Sequence, residues 1–323
     1  MKNLQGRTTS LKLPHLLCHQ WGIDPLRISP LGGYSNASYH VKEKGETDSV
    51  LRISRRNRTK NSVLIEEHIL SHLPLPLTPK LLNSSYVQEE AHTSFAHRFS
   101  FLKGKREYFW WELCSATQIE RLFDTLFELY TSMALIPPLP IVSEKQALPE
   151  IPPAILQKTK VGTYVQKHWK TFYSKALHIA STIEKAFPWD KAHFQWVHGD
   201  INLENVLFEG DSISGLCDFE GAGWDALEKE IIFSAFRLCK KGTFDEVFSY
   251  DERLLQKAID TYLQNNPKVS LAFFTHYESL WKPFFCLKEA SLYLHHAFDG
   301  IWELKEHTGF LPCFQEVLTY KIV

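Results

Sequence analysis

The sequence predicts an α+β protein in two lobes, an N-terminal antiparallel sheet carrying one helix followed by a mostly helical C-terminal lobe. Three observations predict it. Apolar residues alternate with period two through most of the first hundred positions, and beyond Gly104 the period lengthens to that of a helix. A short strand-turn-strand pattern then interrupts the helices between Gln195 and Phe219. With 323 residues the chain has room for two units that each bury a core, and the change of period places the division at 1–104 and 105–323.

Alternation predicts strands over Leu26 to Leu31, Tyr34 to Val41 and Ser49 to Ile53, joined by short turn-rich connectors. From Asn61 to Leu73 the spacing turns helical, with Leu64, Ile65, Ile69, Leu70 and Leu73 on one face. Two more strands are expected at Lys80 to Val87 and Thr93 to Leu102. Thr117 with Glu120 reads as a capping box opening a helix that presents Ile119, Leu122, Leu126, Leu129 and Met133. Six prolines between Pro137 and Pro153 break the pattern, which predicts a loop or surface excursion there. Helical periodicity returns from Tyr164 to Phe187 and dominates after the strand pair.

Composition removes several classes of function. The formal net charge is −1, without the basic excess of a nucleic-acid binder. Six scattered cysteines show no paired short spacing, so they read as reduced thiols and not as zinc ligands or a redox motif. The first residues lack the apolar core of a signal peptide, and no stretch is long and apolar enough to span a bilayer. The expectation is a cytoplasmic protein with no membrane partner.

The chemistry is concentrated between Trp196 and Glu220. Val206 to Phe208 and Ile213 to Cys217 flank Gly210-Asp211-Ser212, a strong hairpin signal. With Asp211-Ser212 at the turn centre, Asn205 and Asp218 face each other across the strands; with Gly210-Asp211 there, they are diagonal neighbours on the same face. In either register a carboxylate and an amide oxygen come together, hard ligands of the kind magnesium accepts. Asp200 lies in the loop entering the same end of the hairpin, where a carboxylate can take a hydroxyl proton as the oxygen attacks a γ-phosphate. Singly, each of these residues would pass for a turn former. Together, Asp followed five positions later by Asn and then, past a short hairpin, by Asp-Phe matches the catalytic-loop and metal-ligand arrangement of kinases.

These residues resemble the aminoglycoside phosphotransferase and choline kinase family. His198-Gly199-Asp200 with Asn205 matches that family's catalytic loop, and Asp218-Phe219-Glu220 its metal-binding segment. Gly199, where protein kinases carry Arg, and Glu220, where they carry Gly, favour this family over them. The resemblance implies a protein-kinase-like fold, ATP and Mg2+ as cofactors, Asp200 and His198 in the catalytic loop, and Asn205 and Asp218 as metal ligands.

It is weaker over Leu31 to Leu73. There Gly32, Gly33, Ser35 and Asn36 resemble the loop that covers the phosphates, where glycine lets backbone N–H groups approach phosphate oxygens. Arg52 stands where many kinases place a strand lysine, and its alternative is a solvated cation in the basic run Arg52 to Lys60. Guanidinium and ammonium differ in geometry, so the substitution changes how phosphate is held. Glu66 is the implied helix partner of Arg52, because Leu70 and Leu73 then fall at the family's apolar offsets; Glu67 is the alternative. The backbone of Phe101 and Leu102 resembles the hinge that bonds adenine. Glu230 falls where relatives place an Asp that braces the catalytic loop.

The implied reaction moves the γ-phosphate of ATP to a hydroxyl of a small molecule such as an amino alcohol, homoserine, a sugar or an aminoglycoside. The rival reading is a nucleotide-binding pseudokinase serving as an interaction module, which Arg52 favours and intact Asp200, Asn205 and Asp218 oppose. Aromatic residues Phe273, Phe274, Tyr277, Trp281, Phe284, Phe285, Tyr293 and Trp302 have spacing that fits helix packing better than a ligand cage. His295-His296 has no third metal ligand beside it.

Overall fold

The computed structural model describes residues 12–32, 36–43, 47–54, 58–88, 93–106, 114–140, 148–150, 159–241, 248–298 and 310–321. Its N-terminal part is a five-stranded antiparallel sheet in the order β1-β2-β3-β5-β4. The strands are β1 (Ile28–Gly32), β2 (Asn36–Val41), β3 (Ser49–Ser54), β4 (Leu81–Gln88) and β5 (Thr93–Ser100). A preceding helix, α1 (Lys12–Gln20), sets Leu17 and Cys18 against Val41, Leu51, Ile53 and Ala96 in a small core.

Two strand starts move from their expected places for local reasons. Asp24 accepts the Leu26 N–H at 3.0 Å, and with Pro25 it closes a 3-10 turn over Pro25–Arg27. Leu26 is thereby left 94% exposed and β1 begins at Ile28. The second strand begins at Asn36, and Tyr34 lies outside the described residues.

Helix α2 (Lys60–His72) bridges β3 and β4. Thr59 caps it by accepting the Ser62 N–H at 3.2 Å. Its end at His72 follows from Pro74, since a residue before proline is pushed out of the helical region, and Leu73 is extended. Val63, Ile65, Ile69 and Leu70 are buried, while Leu64 sits half-buried at the edge of the face. The charged Glu66 is 1% exposed in the middle of this helix.

The sheet gives way to helices at the stretch 101–104. Strand β5 stops at Ser100, not Leu102, and Gly104 has φ +117°, a conformation that costs other residues strain. A Cβ there would lie 2.0 Å from Ser214 Oγ. That turn brings Lys105 alongside Phe208, with which it exchanges two backbone hydrogen bonds of 2.9 Å.

Helix α3 (Ala116–Met133) starts two residues earlier than Thr117 and Glu120 suggested. Its capping box is Ser115 with Gln118: Ser115 Oγ accepts the Gln118 N–H at 3.2 Å and Gln118 Oε1 accepts the Ser115 N–H at 3.0 Å. Glutamine closes the box as well as glutamate does, and Thr117 falls inside the helix. Ile119, Leu122, Leu126, Leu129 and Met133 are fully buried, each contributing about 1.5–3 kcal/mol.

The larger core gathers α2, α3, α4 (Lys160–Ala186), α5 (Leu227–Cys239), α6 (Glu252–Asn265), α7 (Lys282–Phe298) and α8 (Phe310–Thr319). Phe273, Phe274, Trp281 and Phe285 are buried within it, and Tyr277, Phe284 and Tyr293 pack on its margin; Trp302 lies outside the described residues. Of the proline-rich stretch, 141–147 and 151–158 also lie outside them. Two small antiparallel pairs flank the stretch from His198 to Glu220: β6 (Phe194–Val197) with β9 (Gly223–Ala226), and β7 (Val206–Glu209) with β8 (Ser212–Leu216). A further short pair, β10 (Lys240–Lys241) with β11 (Ser249–Tyr250), follows α5.

Capping by Ser115 predicts that Ser115→Ala lowers unfolding free energy by about 1 kcal/mol. Thr117→Ala, a change inside the helix to a better helix former, should leave it within about 0.5 kcal/mol. Denaturant unfolding of both variants checks the assignment, and a larger loss at Thr117 would reverse it.

Candidate active site

Between β6 and β7 the chain makes the loop His198-Gly199-Asp200-Ile201-Asn202, which short-range bonds hold in shape. His198 is fully buried. Its Nδ1 accepts the Asp200 N–H at 3.3 Å and its Nε2–H donates to the Cys217 carbonyl at 3.1 Å. Burial pulls its pKa down against the nearby Asp200 and Glu230 carboxylates, which keeps the imidazole neutral. Enclosed in this way and lying against Phe219 at 4.4 Å, His198 braces the loop from within.

Gly199 has φ +76°, and a Cβ on it would lie 2.0 Å from the Gly221 carbonyl oxygen. Only glycine therefore lets the loop approach the Asp218–Gly221 turn. Its N–H donates to Glu230 Oε1 at 3.0 Å, and the Tyr130 hydroxyl donates to the same oxygen at 3.0 Å. Glu230, from α5, is buried and reaches the loop from beneath despite its extra methylene.

Asp200 is gripped on both carboxylate oxygens. Asn205 Nδ2 donates to its Oδ2 at 2.9 Å and to its backbone carbonyl at 2.8 Å, and Arg237 Nη1 donates to Oδ1. With its N–H groups directed to Asp200, Asn205 keeps its amide oxygen as the acceptor end. Arg237 is clamped in turn by Glu289 of α7, whose Oε1 accepts from Nε at 2.8 Å and Nη2 at 2.6 Å. Burial pulls the Arg237 pKa down, but the Glu289 and Asp200 carboxylates outweigh it and hold the guanidinium charged.

The β7–β8 hairpin makes the second of the two expected turns, and a bulge beyond it then shifts the register. Its turn is Gly210-Asp211, and the pairs run Glu209 with Ser212, Phe208 with Ile213, Leu207 with Gly215 and Val206 with Leu216. Ser214 is the extra residue of a bulge, which shifts the remaining pairs by one. Cys217, not Asp218, is thus level with Asn205, and its N–H donates to the Asn205 carbonyl at 2.9 Å. Asp218 then leaves the strand in the left-handed region at φ 65°, a conformation aspartate tolerates at a cost of about 1–2 kcal/mol. Its carboxylate meets Arg52 Nη1 at 3.3 Å. Asn205 and Asp218 therefore join the site through different partners, the first through Asp200 and the second through Arg52.

Arg52 lies on β3 with its side chain turned inward, over the Phe99 ring at 4.8 Å. Its Nη2 donates to Glu66 Oε2 at 2.6 Å, so Glu66 is its helix partner; Glu67 instead pairs with His97 at 3.1 Å. Arg58 also reaches Glu66 Oε2, at 2.7 Å, and lies 3.5 Å from Glu220 Oε1. Asn36 Nδ2 donates to that same Glu220 oxygen at 2.7 Å. Burial pushes the Glu66 carboxyl up, but the two guanidinium groups hold it well below the usual carboxylate range. Asp218 behaves in the opposite sense. Burial and the Glu220 charge push it up to about 7 against the pull of Arg52, which marks a carboxylate short of positive charge.

Gly32 ends β1 opposite Ser38, and Gly33 and Ser35 lie outside the described residues. After β5 the Phe101 N–H is already donated to the Asp48 carbonyl at 3.0 Å, so that amide is engaged within the N-terminal part. Leu102 packs on Gly215 of the hairpin. A cavity of about 620 Å³ lies against Phe101 to Lys103 and residues Glu209, Ser212, Ile213 and Ser214, at the end of the hairpin opposite Asn205 and Asp218.

Three residues in these contacts escape sequence reasoning. Arg58 sits in a basic run that reads as solvated. Arg237 is the single charge in the otherwise apolar stretch Ile231 to Cys239, and Glu289 lies beside Lys288 in the largely apolar stretch Pro283 to Leu294; a charge on a face that should be buried is the signal that points to them. The described residues contain no group of three His, Cys, Asp or Glu side chains arranged as a ready-made metal site, and no helix among them is long and apolar enough to cross a membrane.

The chain belongs to the phosphotransferase enzyme family, whose profile matches residues 27–264. That family defines it as a phosphotransferase acting on small molecules. No curated protein matches it by sequence. Its fold is similar to that of amicoumacin kinase, solved in complex with AMP-PNP, Ca2+ and Ami, at 12% identity and TM-score 0.65 over 94% of this chain and 92% of that one. A microcompartment-associated aminopropanol kinase aligns at 14% identity and TM-score 0.60, over 96% and 94% of the two chains. The ADP-bound aminoglycoside phosphotransferase APH(2'')-Ib aligns at 14% identity and TM-score 0.56, over 96% and 97%. All three share the kinase-like architecture described above.

The burial of the Arg237–Glu289 pair makes it a sensitive probe of the site's support. Arg237→Met should cost about 3–5 kcal/mol by leaving Glu289 buried without its partner, and Arg237→Met with Glu289→Leu should recover most of that loss. Denaturant unfolding of the two single variants and the double variant measures the coupling; additive losses would mean that the pair is not coupled.

Proposed function

We propose that this protein transfers the γ-phosphate of ATP, with magnesium, to a hydroxyl group of a small molecule. The observation that carries the reading is the convergence of Asp200, Asn205, Asp218 and the Arg52–Glu66 pair at one end of the β7–β8 hairpin. Residues 1–104 form the nucleotide lobe in this reading, and 105–323 supply the catalytic hairpin and the acceptor site. The nucleotides bound to amicoumacin kinase and to APH(2'')-Ib support it by likeness of fold.

The donor set suits a hard divalent cation. Asp218 is 35% exposed and short of positive charge, and the Asn205 amide oxygen is oriented by the bonds its nitrogen makes to Asp200. These two residues would hold magnesium, which when bound neutralises charge on the phosphate oxygens. Arg52, steadied by Glu66, binds the inner phosphates, and Gly32, Gly33, Ser35 and Asn36 form the loop over them. The Phe101 carbonyl and the Leu102 N–H are the hinge groups for adenine. Asp200 accepts the proton of the acceptor hydroxyl, with Asn205 and Arg237 fixing the direction of its lone pairs. His198 serves by keeping the Asp200 loop in this shape.

The acceptor side of Asp200 is walled by α5 and α7, where Arg237, Glu289 and Lys288 lie. Lys288 stands 4.2 Å over the Phe233 ring, and burial pulls its ammonium down to about 8. A screen of amino alcohols, hydroxy amino acids, sugars and aminoglycosides with ATP and magnesium, reading ADP release above the acceptor-free rate, identifies the substrate. If no acceptor raises that rate while ATP still binds, the interaction-module reading replaces the kinase one.

With an acceptor in hand, Asp200→Ala should lower turnover about 10²–10⁴-fold while nucleotide affinity stays near wild type. Unchanged turnover would remove Asp200 from the role of base. Asp218→Asn should weaken nucleotide binding more in magnesium than in EDTA, because it removes the anionic ligand. Equal losses in the two conditions would mean that Asp218 is structural.

A further inference from the structure

Lys288 lies on α7 one residue before Glu289, the carboxylate that clamps Arg237. Its ammonium stands over the Phe233 ring of α5. Among the described residues it donates no hydrogen bond and has no carboxylate within ion-pair distance. We propose that Lys288 determines acceptor specificity by binding a carboxylate on the hydroxyl compound that is phosphorylated, so that the acceptor is a hydroxy acid or hydroxy amino acid. The proposal rests on the phosphoryl-transfer reading of Asp200.

Placement carries it first. Glu230, Phe233 and Arg237 follow one another along α5 at helical spacings of three and four, so they share a face. From that face Glu230 holds the Gly199 N–H and Arg237 holds Asp200. Phe233, between them, carries the ammonium of Lys288. The charge of Lys288 acts on Glu230 and Arg237 alike, the two groups through which α5 supports the catalytic loop. Phe284, one turn back on α7, lies against Phe233 with ring centroids 5.4 Å apart. A free cation on an apolar bed therefore stands beside the support of the proposed base.

Charge assigns the ligand. The ions that act on Lys288 are Glu230, Arg237, Lys229 and Asp225, and each of them is engaged elsewhere. Arg237 is taken by Asp200 and Glu289, and Lys229 by Asp225. Glu230 accepts from the Gly199 N–H and the Tyr130 hydroxyl. Lys288 is left half-buried, open to a solute and without an anion of its own. Burial pulls its pKa down to about 8, and Glu230 does not offset that pull. A carboxylate beside it restores the charged form through charge-assisted hydrogen bonds. A phosphate dianion would ask for a second free cation, which Arg237 and Lys229 do not supply, and an ammonium would be repelled. A lysine kept for structure alone would be expected to end on a carboxylate of the fold.

Steady-state kinetics of the full chain with ATP, magnesium and matched acceptors test the assignment. Homoserine is set against 3-aminopropanol and glucuronate against glucose, and any other acceptor found by screening is paired in the same way with and without a carboxylate. Wild type must favour the carboxylate-bearing member in kcat/KM. Lys288→Met must cut that preference roughly 10–100-fold, mostly through KM, and Lys288→Arg must keep most of it. A wild type that prefers the carboxylate-free members, or a preference unchanged in Lys288→Met, overturns the proposal and leaves the kinase reading standing. A wild type that turns over no acceptor overturns both. If Lys288→Met does not fold, acetylation of wild type by acetic anhydride at pH 8, located by mass spectrometry, decides. Lys288 must label in the free protein and be protected by the carboxylate-bearing member of a pair but not by its counterpart. No label, no protection or equal protection by both sinks the proposal.

Discussion

The Glu66 carboxylate is 1% exposed in the middle of a helix face otherwise given to Val63, Ile65, Ile69 and Leu70, and it persists there because Arg52 and Arg58 surround it. A buried carboxylate without such partners would lose its charge or unfold the helix. Meeting that requirement fixes α2 against β3 through Arg52 and draws in the turn after the hairpin, because the same guanidinium groups reach Asp218 and Glu220. The sheet, its helix and the C-terminal hairpin are held in one arrangement by this single cluster of opposite charges. Among the described residues it holds three carboxylates, Glu66, Asp218 and Glu220, to two arginines, and Asp218 is the carboxylate whose pKa is pushed up, to about 7.

The second constraint is geometric. The Asp200 loop approaches the Asp218–Gly221 turn so closely that Gly199 tolerates no Cβ, and the neutral His198 ring crosses the gap to Cys217. Glu230 and Tyr130 complete the support from below. In the proposed reaction, preorganisation of this kind would hold the base and the two metal-ligand candidates in place before any substrate arrives, which is how positioning lowers a barrier in phosphoryl transfer. The bulge at Ser214 and the left-handed Asp218 belong to the same device: one shifts the strand register, and the other turns the carboxylate back toward Arg52.

Charge on the α5 and α7 side of Asp200 is arranged differently. Arg237 is shared between Asp200 and Glu289, so α5 and α7 are tied to the catalytic loop through a relay of buried ions. In the proposed reaction, an acceptor entering there would meet a base whose two oxygens are already oriented. It would also meet a wall holding both a carboxylate and the ammonium of Lys288.

Local order was legible in the sequence. Periodicity of two and of 3.6 reports which face of each element is buried, so the strands, α2 and the apolar stripe of α3 could be read within a few residues. The spacing of Asp200, Asn205 and Asp218 marked the hairpin that brings them together in the same way. Capping and register were less accessible, because Ser115 competes with Thr117 for one helix start and a bulge leaves no mark in a pattern of alternation. Only the tertiary structure decided which charges are buried. Arg58 looks like its solvated neighbours, and Arg237 and Glu289 are 52 positions apart; what distinguishes them is a partner brought close by the fold, and the energy of an ion pair depends on that distance and on the water excluded around it.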